Sequence, residues 1–200
     1  MIGLLRSELY RTFALRSSWV SIAASIMLGV LFGIFDDAFW SLFAGLGSFG
    51  LAVMTTAQHY QHRTALLLFL GRPHRLLVLA AQCVAAAVVA LFIALVSGVS
   101  ILDWGEGDKY RATLTVVPLI AVLGVAAASV VRRPLWLLGG AAGWLVFVEG
   151  LFGRLESPLP FTAFLTAATG DDKMLLIFAA WTGAALLAAV IAIRRDLTGD

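Results

Sequence analysis

Few side chains in this sequence are placed to do chemistry. His59 and His62 stand three residues apart, so on a helix they would share a face and could hold a metal ion between them. No acidic residue joins them in the same segment, and a polar helix at a membrane surface is the simpler account of the pair. The metalloprotease spacing HExxH is missing. Ser48 lies in the run Gly45-Leu46-Gly47-Ser48-Phe49-Gly50, which has the outline of an intramembrane serine nucleophile, yet no histidine falls in any apolar run to act as its base. Small residues that let helices approach closely explain this run better, and Gly29 and Gly33 repeat the pattern. The cluster Gly139-Gly140-Ala141-Ala142-Gly143 lacks the lysine of a phosphate loop, and no GxxxxGK[ST] occurs anywhere, so ATP hydrolysis by that machinery is excluded. That leaves Glu149, the one ionisable residue inside an apolar run. Such a residue either lines a substrate path or outer gate, or sits near the interface and pairs with Arg154.

The elements that must position these residues follow from composition. Of the 200 residues 61% are apolar and 13% charged, against about 45–50% and about 25% in average globular chains; mean hydropathy is +0.96. At about 20 residues per crossing this is material for six transmembrane helices. Apolar runs at 19–35, 38–57, 76–102, 113–131, 135–152 and 174–193 supply them. Six crossings leave no room for a soluble catalytic domain, so an engine is expected on another chain. The single cysteine, Cys83, lies in an apolar run, has no intrachain partner and is expected to pack. No arginine-rich patch interleaved with aromatics suggests nucleic acid as a partner.

Ahead of the first run, residues 1–18 carry Ile2, Leu5, Leu9 and Phe13 at helical spacing, with Arg6, Glu8, Arg11 and Arg16 around them. This is the pattern of an amphipathic interfacial helix, and the long apolar run after it argues for a retained segment rather than a cleaved signal. Arginines then concentrate in alternate loops, Arg63, Arg72 and Arg75, then Arg132 and Arg133, then Arg194 and Arg195, and the other loops hold only Lys109, Arg111, Arg154 and Lys173 as basic residues. Asp36, Asp37, Asp103, Glu106, Asp108, Glu156, Asp171 and Asp172 fall in the others. The alternation agrees with six crossings and puts both termini in the cytoplasm. Trp19 and Trp136 fall at inner boundaries and Trp40 and Trp104 at outer ones, where indole rings favour headgroups, while Trp144 and Trp181 fall mid-span and are expected to pack. With this orientation Glu149 stands about 21 Å along its helix, in the outer leaflet.

Two connections are more than turns. Residues 58–75 begin polar, continue through an apolar patch at 65–70 and stop at Gly71-Arg72-Pro73, which predicts a short helix on the inner membrane surface. Residues 153–172 hold Pro158 and Pro160 with Phe161, Phe164 and Leu165, too apolar for a solvated loop and too broken for a span. A short re-entrant or interfacial element is expected there.

Residues 58–81, QHYQHRTALLLFLGRPHRLLVLAA, resemble the loop between the second and third spans of type-2 ABC exporter permeases of bacteria, with an actinobacterial look. Tyr60, His62, Thr64, Phe69, Leu70, Pro73, Arg75, Val78, Leu79, Ala80 and Ala81 match that pattern, whereas His59 replaces its usual glutamate, Arg63 its glycine and Gln82 its lysine. The resemblance implies an all-α integral membrane fold of six spans forming one permease domain over 1–200. It also implies that 58–75 is a coupling helix on which Gln58, His59, Tyr60, His62, Arg63, Thr64, Arg72, Pro73 and Arg75 meet an ATPase subunit. It implies a bacterial inner-membrane exporter in which two permeases, copies or paralogues, sit in lipid above two nucleotide-binding subunits. ATP and magnesium belong to those subunits, and this chain is expected to bind no cofactor of its own. With hardly any charge in the spans, the cargo is expected to be amphipathic or hydrophobic: a drug, an antimicrobial peptide or a lipid. A passive channel or scaffold subunit, and more remotely a membrane-embedded enzyme, are the rival classes.

Overall fold

The computed structural model describes residues 2–14, 16–61, 75–102 and 105–195. Among them there is no strand. In chain order the helices are α1 (Ile2–Ala14), α2 (Arg16–Gly33), α3 (Asp37–Gln61), α4 (Arg75–Ser97), α5 (Val99–Leu102), α6 (Gly107–Val131), α7 (Pro134–Gly143), α8 (Pro160–Ala168) and α9 (Asp172–Arg195). Between α7 and α8 the chain continues as a π-helical stretch, Trp144–Phe152.

Five segments are long and apolar enough to cross a membrane: Asp37–Gln58, Leu76–Ser97, Gly107–Val131, Pro134–Phe152 and Asp172–Arg195. A further candidate is the pair Leu5–Ala14 and Ser18–Gly33, which together pass the same test but are bent by 79°. An all-helical chain with these segments is built as an integral membrane protein.

α6 is the centre of the bundle. Val116, Val117, Ile120, Ala121, Val125 and Ala126 are all buried, so the helix is apolar on every side that α3, α4 and α9 cover. Small residues set the approach distances, as the glycine run predicts. A Cβ on Gly45 would stand 2.2 Å from Cζ of Phe164, so the α8 ring rests directly on the α3 backbone. At the end where α3 and α6 begin, Asp37 pairs with Lys109, and Asp36 Oδ1 accepts the Ala38 N–H at 2.7 Å to cap α3.

The run 76–102 is not one continuous helix. It breaks at Gly98, where Trp40 occupies the space a side chain would need: a Cβ would lie 2.3 Å from Cζ2 of Trp40 and 2.6 Å from Cε2 of Tyr110. Trp40 is 0% exposed, stacks on Tyr110 at 5.6 Å and donates its Nε1–H to Ser97 Oγ at 3.0 Å. It is thus at the end of its helix, as expected, but enclosed by its own chain rather than facing headgroups. Trp19 and Trp136 are exposed, and Trp104 lies outside the described residues.

Coverage is uneven. Half of the α6 span is buried inside the chain, but only 6% of Pro134–Phe152. Gly139, Gly140 and Gly143 have nothing within 4 Å of a would-be Cβ.

Candidate functional site

Glu149 is fully buried, and its position is made by two departures from regular α-helix. The first is the π register of Trp144–Phe152, whose i→i+5 bonding stacks residues five apart as an α-helix stacks those four apart. Trp144 therefore lies over Glu149 and donates its Nε1–H to Oε1 at 2.8 Å. The second is the reversal after Gly153, where Arg154 and Leu155 take φ of 47° and 56°. Leu155 N–H returns to the Glu149 carbonyl at 2.8 Å, closing the turn. Left-handed backbone at two consecutive non-glycine residues is uncommon, and here it aims the following segment back at the bundle.

That segment starts α8, and its start lacks a cap of its own. The N-cap residue, Leu159, has no side-chain acceptor, and Pro160 at the first helical position has no N–H to satisfy. The donors left without a partner in the helix are the N–H groups of Phe161 and Thr162; Ala163 already bonds the Leu159 carbonyl at 2.7 Å. Glu149 takes both. Phe161 N–H donates to Oε1 at 3.1 Å, Thr162 N–H donates to Oε2, and Thr162 Oγ1–H donates to Oε2 at 2.7 Å. One carboxylate thus satisfies the whole N-terminus of a nine-residue helix, where the helix dipole also favours negative charge. Arg154, five residues on from Glu149, is not among these donors.

Thr162 belongs as well to the wall of a cavity of about 350 Å³ between α8 and the first turns of α3. Phe39, Leu42, Leu155 and Leu165 make most of its surface, and Ser41, Thr166 and Thr169 add hydroxyls. The volume falls in the range of small-molecule pockets, roughly 300–1,000 Å³. Glu149 does not itself line the cavity; it stands behind Thr162 and fixes that wall.

No family model, curated protein or solved structure matches this chain.

Of the residues expected at 58–75, Gln58, His59 and Tyr60 are in the last turn of α3 and Arg75 is the first residue of α4. Gln58 is half-buried. His62, Arg63, Thr64, Arg72 and Pro73 lie outside the described residues, as does the expected surface helix. α3 and α4 pack against each other. Among the described residues no three His, Cys, Asp or Glu side chains group as a metal site.

Sequence reasoning singled out Glu149 but missed its partners. It took Trp144 and Trp181 for packing residues, yet each indole N–H has an acceptor: Glu149 for Trp144, and the Pro158 carbonyl at 3.1 Å for Trp181. One signal was present, the uncapped helix start Leu159-Pro160, which requires an acceptor from elsewhere in the chain.

Proposed function

We propose that this chain is the permease subunit of an ATP-driven exporter of the type-2 ABC kind, paired with a second permease and powered by separate ATPase subunits. The observation that carries the reading is the match at 58–81, which falls at the junction of two packed, membrane-length helices, α3 and α4. A push delivered to the thirteen residues 62–74 would move both helices together, as ATP-driven closure of a cytoplasmic dimer requires. The thinly covered segment Pro134–Phe152 supports it too, since a pathway shared by two permeases needs a span that its own chain leaves open.

In this reading α2 is the first of six crossings and α1 lies at the cytoplasmic interface. Both termini face the cytoplasm, and the coupling helix spans the α3–α4 connection on that side. α8 is a re-entrant element on the outer side, where the cavity between α8 and α3 lies on the cargo's route. Transport proceeds by alternating access, and Glu149 serves the route by holding Thr162 in the cavity wall. The cargo is amphipathic or hydrophobic, in keeping with the leucine- and phenylalanine-rich cavity surface.

The test is whether an ATPase subunit co-purifies with the chain in detergent, followed by ATP turnover and flux in vesicles. Retention of the ATPase, with association lost in Arg75→Glu, is the expected result. Flux that continues without ATP or any ATPase subunit would overturn the exporter in favour of a channel.

A further inference from the structure

Several buried hydroxyls in this bundle turn back to their own helix. Thr12, Ser25, Ser129 and Thr182 each donate to the carbonyl four residues earlier, at 2.8 to 3.0 Å. Ser48 does not. It is 2% exposed, and its Oγ is the one buried side-chain polar atom among the described residues without a hydrogen-bond partner. It sits eleven residues into α3, about 16 Å along the helix and so near mid-membrane, where an unpaired hydroxyl is costly.

Ser48 lines a recess beside the place where α1 packs on α4, bordered by residues of α1, α3 and α4. The other polar groups on it are Glu8 and Thr12 of α1, Thr55 and Thr56 of α3, and Gln82 of α4. Each of these is partly or fully buried, so polar groups of three helices line one recess inside an otherwise apolar bundle. About 20 Å³ of the recess is open to the centre of a water molecule. One water needs about 10–15 Å³ on that measure and two to four polar partners.

We propose that the recess is a built site for one ordered water, bound to Ser48 Oγ and held by the polar groups of α1 and α4. The water completes the joint by which the amphipathic helix α1 docks on the membrane-length helices. This inference does not rest on the transport reading and holds for a channel or scaffold equally.

Two Ser→Ala variants of matched chemistry test it. Ser129→Ala removes a hydroxyl bonded within its own helix and is expected to leave the melting temperature in detergent nearly unchanged. Ser48→Ala strips a partner from the water and is expected to lower it by about 2–4 °C more than Ser129→Ala. If the recess is dry, Ser48→Ala removes an unsatisfied hydroxyl, and a melting temperature equal to or above the parent overturns the proposal. Hydroxyl-radical footprinting of the unmodified protein decides the matter even if a variant fails to fold. Val89, on the recess, should be labelled above Val117, buried in the core away from it; labelling no greater than at Val117 means no water. Melting in sodium and in choline chloride should coincide, and a sodium-dependent rise lost in Ser48→Ala would replace the water by a bound cation.

Discussion

Glu149→Gln is nearly isosteric, so its effect isolates what the second carboxylate oxygen does. In the parent, Oε1 accepts from Trp144 and Phe161, and Oε2 accepts twice from Thr162. An amide keeps one acceptor and puts an NH₂ in place of the other. Whichever way it turns, two of the four donors then face an N–H. A buried group left without its partner costs about 1–3 kcal/mol, and a charge lost at a helix N-terminus adds up to about 2 kcal/mol in a buried setting. With partial relaxation of the α8 start the expected loss is about 2–5 kcal/mol, or roughly 5–15 °C in melting temperature for a chain of this length. The assay is heating in detergent followed by size-exclusion chromatography with fluorescence detection. Glu149→Asp keeps the charge but withdraws it by about one methylene, so it should fall between parent and Gln. A Gln variant that melts within a degree or two of the parent would refute the capping role. A Gln variant that keeps its melting temperature and loses export would instead make Glu149 a gate or path residue.

Four further substitutions test the packing of the bundle. Gly98→Ala drives a methyl into the Trp40–Tyr110 stack and should cost about 1–3 kcal/mol, with a shift in tryptophan emission as Trp40 moves. Gly45→Ala collides with Phe164; combined with Phe164→Leu it should destabilise by less than the sum of the two single changes, a coupling read from a double-mutant cycle in detergent melting. Trp181→Phe removes the bond to the Pro158 carbonyl and should cost about 0.5–1.5 kcal/mol, read from the same melts.

The apolar helices were legible because a bilayer demands a long unbroken run, and each of the five membrane-length segments overlaps a run read from the sequence. Their interruptions were less so. The need for glycine at the 98 break comes from Trp40, 58 residues away in sequence, filling the space beside it; the same contact buries a tryptophan whose boundary position suggested headgroups. The site divides similarly. A lone glutamate in an apolar run announces itself, because an ionised group there must find partners. Its partners could not be read locally, since they depend on a π register and on left-handed backbone at Arg154 and Leu155, residue types with no preference for it. Arg154 looked like the natural counter-charge by proximity, but backbone N–H groups at a helix start meet a carboxylate as well as a guanidinium does, and here they are the donors that would otherwise be orphaned.

The capping of α8 by Glu149 also orders biosynthesis. The ribosome adds the carboxylate twelve residues before Phe161 and thirteen before Thr162, so at about 5–20 residues per second the charge exists for about a second before its backbone donors do. During that interval Trp144 is the only one of its partners already made. A Pro134–Phe152 helix released into lipid alone would leave the carboxyl without three of its four hydrogen bonds. Keeping this helix, the turn after it and α8 together through insertion spares the carboxyl that exposure.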